Sequence, residues 1–190
     1  METKKINLTI TGCLGRMGQQ LIKSASKDKR FKINSLTENK LQRKKIIGIL
    51  PKLNSSEAFK KSDVIIDFTI PKCTLEVLNI AAKQNKRVII GTTGFSLKEE
   101  NIIKKISKKI PILKAGNMSL GINLLMYLTE ITSKSLGNNF LSKVFEAHHK
   151  YKKDHPSGTA LMLGQGIAVG KNKSFNGIMG KKYLNKKKFP

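Results

Sequence analysis

The segment that most restricts the fold lies near the start of the chain. A β-rich run over 6–11, Ile-Asn-Leu-Thr-Ile-Thr, ends at Gly12, and Gly15 and Gly18 follow at three-residue intervals. Met17, Leu21, Ile22 and Ala25 then recur at helical spacing and predict a helix over 15–26. Strand, glycine turn and helix in that order open a βαβ unit, because glycine tightens the turn and lets backbone N–H groups approach an anion at the positive end of the helix. The spacing is G-x-x-G-x-x-G, so Leu14 stands where the usual dinucleotide fingerprint has its second glycine. Taken alone, such a turn also serves merely to pack a helix on a sheet. Glu38, just past a second predicted strand over 31–36, adds an acceptor for the hydroxyls of an adenosine ribose and favours the dinucleotide.

The alternation continues downstream. Strands are expected over 64–68, 87–90 and 111–114, with a helix over 75–84 and another opened by a Ser96/Glu99 capping box and running to about Lys109. This pattern calls for an α/β fold with a parallel sheet. Asp67-Phe68-Thr69 and Gly91-Thr92-Thr93-Gly94 end two of the strands, where open α/β sheets hold their ligands, although each also reads as a simple turn. Asn117 or Ser119 caps a long apolar helix that stops near Gly137. Beyond it the texture changes to a strand over 141–147, a polar loop over 148–155, a glycine-containing loop entering a helix over 156–168, and a weak strand over 175–179. We expect two domains, a dinucleotide-binding domain over 1–117 and a second over 118–190 whose sheet is only begun.

Charge narrows the partners. All but four of the 37 Lys and Arg are lysine, and with 12 Asp and Glu they give a formal net charge of +25. The lysines run through the chain alongside many Ile and Asn, as in AT-rich codon usage, without a recognition helix, zinc spacing or interleaved aromatics. No specific nucleic-acid partner is therefore expected. The two cysteines, Cys13 and Cys73, form no disulfide framework or metal spacing and read as packing residues in a reducing compartment. No apolar run approaches the roughly 20 residues of a membrane span, and the first residues are too polar for a signal peptide, so the expected location is the cytoplasm with no membrane contact.

The densest polar cluster is Glu146, His148, His149, Lys150, Lys152, Lys153 and Asp154, followed by Pro156-Ser157-Gly158-Thr159. Ser157, Gly158 and Thr159 precede an apolar helical run, so their hydroxyls and free N–H groups suit a carboxylate. Histidine exchanges protons near neutral pH, and a neighbouring lysine holds a carboxylate or donates a proton. A metal-binding His-His pair has no third ligand at useful spacing, so no metal is expected, and a solvated basic loop is the plainer alternative.

Five segments in order resemble one family, the 4-hydroxy-tetrahydrodipicolinate reductases (dihydrodipicolinate reductases) of lysine and diaminopimelate biosynthesis. They are the glycine turn from Gly12 to Gly18, Asp67-Phe68-Thr69-Ile70-Pro71, Gly91-Thr92-Thr93-Gly94-Phe95, Asn117-Met118-Ser119-Leu120-Gly121, and the run from Glu146 to Ala160 with His-His, Lys152 and Pro-Ser-Gly-Thr-Ala. The resemblance implies an N-terminal Rossmann-like dinucleotide-binding domain and an α+β substrate domain that also builds a homotetramer. It implies hydride transfer from NADH or NADPH to a small cyclic dicarboxylate. By position His148 matches the proton donor and acceptor, Lys152 the proton donor, and His149, Ser157, Gly158 and Thr159 the substrate contacts. The nucleotide segments fall on Gly12, Cys13, Leu14, Gly15, Arg16, Met17, Glu38, Gly91, Thr92, Thr93, Ala115, Gly116, Asn117 and Met118. Gly116 and Met118 replace the family's expected Ala and Phe, the link from Glu38 to Val64 is short and Lys-rich, and the substrate domain reads as truncated. The leading functional reading is the reductase and its alternative an inactive remnant that keeps nucleotide binding; a nucleic-acid-binding protein lacks a recognition pattern, and a different Rossmann oxidoreductase acting on an amino acid leaves His148 through Thr159 unexplained.

Overall fold

A computed structural model describes residues 4–148 and 156–179. The chain divides into two compact units, Met1–Gly116 and Asn117–Pro190.

In the first unit, strands β1 (Ile6–Thr11), β2 (Phe31–Thr37), β3 (Val64–Asp67), β4 (Arg87–Ile90) and β5 (Ile112–Lys114) form one parallel sheet in the order β2-β1-β3-β4-β5. Helices α1 (Arg16–Lys27), α2 (Ser56–Phe59), α3 (Pro71–Lys83) and α4 (Leu97–Ile106) connect them. The chain leaves β1 for β2 on one side and later enters β3 on the other, so the crevice beyond Thr11 and Asp67, which pair in register, is the switch point of the sheet. Register also explains the burial. Ile10 pairs with Ile66 and Thr9 with Ile65, so Ile10 and Ile65 face opposite sides. Ile10, Cys13, Ile22 and Leu36 form one cluster, and Phe59, Ile65, Val77, Leu78, Val88, Ile90 and Ile103 belong to the other. A parallel sheet buried on both faces needs the near-continuous apolar strands Val64-Ile65-Ile66 and Val88-Ile89-Ile90 that the chain supplies.

Local chemistry fixes the ends. The Ser96/Glu99 capping box forms as expected, Ser96 N donating to Glu99 Oε2 at 2.7 Å and Glu99 N to Ser96 Oγ at 3.4 Å. α3 begins at Pro71 rather than Leu75, since proline at the first helical position has no N–H to leave unpaired. α2, which periodicity did not predict, is one turn whose N-cap Ser55 accepts Ala58 N at 3.1 Å and which delivers Phe59 fully buried to the core. In the link after β2, Ile46 and Ile49 exchange backbone hydrogen bonds of 2.8 and 2.9 Å around Ile47 and Gly48, both at positive φ. Glu38 N then donates to Lys52 O at 2.9 Å, holding the returning chain beside the end of β2.

The second unit contains α5 (Leu120–Leu136), a 3-10 turn at Gly137–Asn139, α6 (Gly158–Gly170) and α7 (Phe175–Ile178). Asn117 and Ser119 share the start of α5: Ser119 N donates to Asn117 Oδ1 at 2.8 Å, and Ser119 Oγ accepts Ile122 N at 3.5 Å. The helix stops where Gly137 turns to φ +67°. α5 and α6 touch through glycine, because a Cβ on Gly170 would lie 2.4 Å from Glu130 O and 2.8 Å from Ser133 Cβ.

Two expected strands are absent among the described residues. Residues 141–147 pair with no strand there, and an apolar run becomes a strand only when a neighbour takes its backbone hydrogen bonds. The 175–179 segment is helix α7, with Ser174 Oγ accepting Gly177 N at 3.2 Å and the Phe175 ring lying against Gly164. Phe175 and Ile178 are three apart, which is helical rather than strand spacing.

Candidate functional site

The glycine turn joins β1 to α1 by steric necessity. Gly12 adopts φ +61°, and a Cβ there would lie 2.7 Å from the Thr69 methyl carbon. A Cβ on Gly18 would lie 2.2 Å from Gly12 O, so that position tolerates no side chain. Gly15 N donates to Gly12 O at 3.0 Å, and Gly15 then serves as the N-cap of α1 without any side-chain cap. The first N–H groups of α1 therefore keep no side-chain acceptor at the cap, with Arg16 and Met17 exposed beside them.

Cys13 is packed inward, its N–H bonded to Thr37 O at 3.2 Å. Burial pushes its thiol up to about 11, aided by the charge of Glu38, so it is protonated at neutral pH and contributes packing and backbone to the turn. Glu38 reaches back from the end of β2: Oε1 accepts Leu14 N at 2.7 Å and Oε2 accepts Asn39 N at 3.2 Å. The turn and the ribose-acceptor candidate are thus one bonded structure.

Beyond β4, Gly91 N donates to Asp67 O at 2.8 Å, and a Cβ on Gly91 would strike the Phe68 ring at 2.0 Å. Thr92 is buried and Thr93 is exposed. Thr92 Oγ1 accepts Thr69 N at 2.9 Å and donates to Asp67 Oδ2 at 2.9 Å, which commits that hydroxyl inside the fold. Asp67, completely buried, also accepts Thr11 Oγ1 at 2.5 Å, Thr69 Oγ1 at 2.8 Å and Thr74 Oγ1 at 2.5 Å. Sequence reading marked the end of β3 but missed this carboxylate as a connector. Its signal was the threonines at other strand ends, which only the register brings together. Ala115 N donates to Ile90 O at 3.1 Å just past β5, and Gly116 ends the first unit. Asn117 and the exposed Met118 begin the second.

In the second unit, Glu146 is the hub. Its Oε2 lies 2.8 Å from His148 Nε2 and its Oε1 accepts Ser157 N at 2.9 Å. Partial burial pushes this carboxyl upward, but hydrogen bonds from Ser157 and His148 outweigh it and hold the group below its ordinary range. Ser157 caps α6, its Oγ accepting Ala160 N at 3.1 Å, with Gly158 exposed and Thr159 half-buried in the first turn. The arrangement brings an imidazole to the N-cap residue of a 13-residue helix, a setting for anion binding and proton exchange. His149 and Lys152 lie outside the described residues. Among the described residues no group of three or more His, Cys, Asp or Glu is placed to hold a metal, and no helix is long and apolar enough to cross a membrane.

Comparison with known proteins matches both units. Residues 6–118 match the family model for the N-terminus of dihydrodipicolinate reductase, and residues 121–188 match that for its C-terminus. The chain is 71% identical over 187 residues to 4-hydroxy-tetrahydrodipicolinate reductase of Pelagibacter ubique (strain HTCC1062), covering 98% of this chain and 72% of that protein. It is 39% identical over 176 residues to the reductase of the same name from Buchnera aphidicola subsp. Cinara cedri (strain Cc), covering 86% of this chain and 64% of the relative. The dipicolinate-bound dihydrodipicolinate reductase from Paenisporosarcina sp. TG-14 shares the fold with a TM-score of 0.67 at 22% identity, covering 98% of this chain and 72% of that one. With the two family models matched over residues 6–118 and 121–188 and a relative this similar, the chain belongs to the dihydrodipicolinate reductase family.

Proposed function

We infer that this chain is an NAD(P)H-dependent oxidoreductase that reduces 4-hydroxy-tetrahydrodipicolinate to tetrahydrodipicolinate in lysine and diaminopimelate biosynthesis. The observation that carries this reading is the 71% identity to a reductase of that activity across 98% of the chain, spanning both family halves.

The residues present fit a dinucleotide. The switch-point crevice opens beside a turn too tight for side chains at Gly12 and Gly18, and α1 starts without a side-chain cap. Gly12, Cys13, Leu14, Gly15, Arg16 and Met17 form the phosphate-side turn, Glu38 takes the ribose hydroxyls, and Gly91, Thr92, Thr93, Ala115, Gly116, Asn117 and Met118 complete the cofactor segments. When bound, the reduced nicotinamide supplies the hydride. Glu38, held by Leu14 N, repels a 2′-phosphate and tilts preference to NADH, while Lys40 and Arg43 keep NADPH usable.

The substrate is a dicarboxylate. Ser157, Gly158 and Thr159 hold one carboxylate at the start of α6, and His149 makes a further contact. The 4-hydroxyl leaves as water, the resulting unsaturated cyclic imine takes the hydride, and a proton from His148 or Lys152 completes the reduction. Glu146 fixes the orientation of His148 and ties it to Ser157, so the proton carrier and the carboxylate turn move as one piece. The two free cysteines support a reducing cytoplasm. The homotetramer is what the family resemblance implies, and the exposed apolar residues of α5, Leu120 at 85% and Tyr127 at 61% accessible, with Leu124 and Leu128, leave a face that such an assembly would cover.

The test is consumption of NADH by the purified chain when aspartate semialdehyde and pyruvate are condensed by the preceding synthase in the same cuvette. Oxidation that needs all three additions is the expected result. NADH loss without the synthase, or none with it, refutes the assignment.

A further inference from the structure

We propose that Asp67 is a positioning residue for the nicotinamide cofactor, a buried carboxyl that holds the 91–94 loop and the glycine turn in one geometry through threonine hydroxyls. The proposal rests on the cofactor reading above.

A fully buried carboxylate is costly unless hydrogen bonds replace its water. Asp67 meets that cost without a cation: it enters no ion pair among the described residues, and its two oxygens accept the hydroxyls of Thr11, Thr69, Thr74 and Thr92. A carboxyl group presents two oxygens to these four hydroxyls, whereas an amide of the same shape replaces one of them with an NH2 donor. The donors come from the end of β1, the segment after β3, the first turn of α3 and the loop after β4. Each leads to the crevice. Thr11 immediately precedes Gly12, the Thr69 methyl occupies the space that forbids a Cβ there, and Thr92 lies between Gly91 and the exposed Thr93. Thr69 N and Gly91 N close the lattice through Thr92 Oγ1 and Asp67 O. Deeper in the same sheet the buried pair Thr9 and Ser62 joins β1 to the turn before β3 with hydroxyls alone. That strand-to-strand link is made without a carboxyl group, and the carboxyl group is found where the loops must be aimed.

Asp67 is wholly inaccessible, so any effect of its replacement on cofactor binding passes through the groups it holds. The experiment measures NADH affinity by fluorescence titration, with thermal unfolding in parallel, for wild type, Asp67→Asn, Thr92→Val, Thr92→Ser, the double variant and Thr9→Val. Asp67→Asn and Thr92→Val are each expected to weaken NADH about tenfold or more, the size of a lost charge-assisted hydrogen bond. The double variant should be no weaker than the worse single one, because both remove the same link. Thr92→Ser, which keeps the hydroxyl, restores affinity, and Thr9→Val lowers the melting temperature without weakening NADH. Unchanged affinity in a folded Asp67→Asn or a folded Thr92→Val overturns the proposal, as do effects that multiply in the double variant. Wild type that fails to bind NADH removes the cofactor reading and this proposal together, whereas wild type that binds while both variants bind equally removes the proposal alone.

Discussion

Glu146 bears on both stability and chemistry through two hydrogen bonds. Its carboxyl is held below its ordinary value near 4.5, so its contribution to stability is complete above that value and is lost as the pH falls through the lower folded value. Glu146→Gln is accordingly expected to melt below wild type at neutral pH, with the gap closing as the pH drops under the ordinary carboxylate range. A gap that stays constant down to strongly acid pH contradicts the pairing of Glu146 with Ser157 and His148. At this scale the sequence exposed residues whose type alone suggests a task, such as Glu38, His148 and the glycines. It marked Asp67 at a strand end but not as a connector, since four threonines scattered from Thr11 to Thr92 acquire a common partner only in the folded sheet. Nor did it reveal that the hydroxyl of Thr92 is committed inside the fold.

Glycine sets how elements meet. In α6, Gly170 faces the backbone of α5 and Gly158 faces open space. Gly170→Ala must push the helices apart and is expected to cost about 1–3 kcal/mol, while Gly158→Ala falls within about 0.5 kcal/mol of wild type. Urea unfolding of the two variants checks this, and equal midpoints would remove close helix contact as the reason for Gly170. Elements were legible where a local signal and tertiary demand agree: alternating strands and helices, the Ser96/Glu99 box, and the stop at Gly137. The 141–147 segment failed because strand formation depends on a partner that a local window does not contain. The 175–179 segment failed because its apolar content outweighed the Ser174 cap and the three-residue spacing of Phe175 and Ile178.

Across the whole molecule, the net charge of +25 is a weak guide to function, while the division of chemistry between two units is a strong one. In the proposed assignment most of the cofactor segments lie at the carboxyl ends of the first unit's parallel sheet, with Asn117 and Met118 opening the second unit. The proposed proton carrier, His148, and the proposed carboxylate turn at Ser157 lie around Glu146 in the second unit. This division predicts that a change in the second unit separates turnover from cofactor binding. The most direct measurement is steady-state reduction by His148→Gln alongside its NADH dissociation constant. Turnover is expected to fall roughly 100-fold or more with the dissociation constant within about twofold of wild type. Turnover that survives the substitution, or NADH binding that collapses with it, contradicts the account.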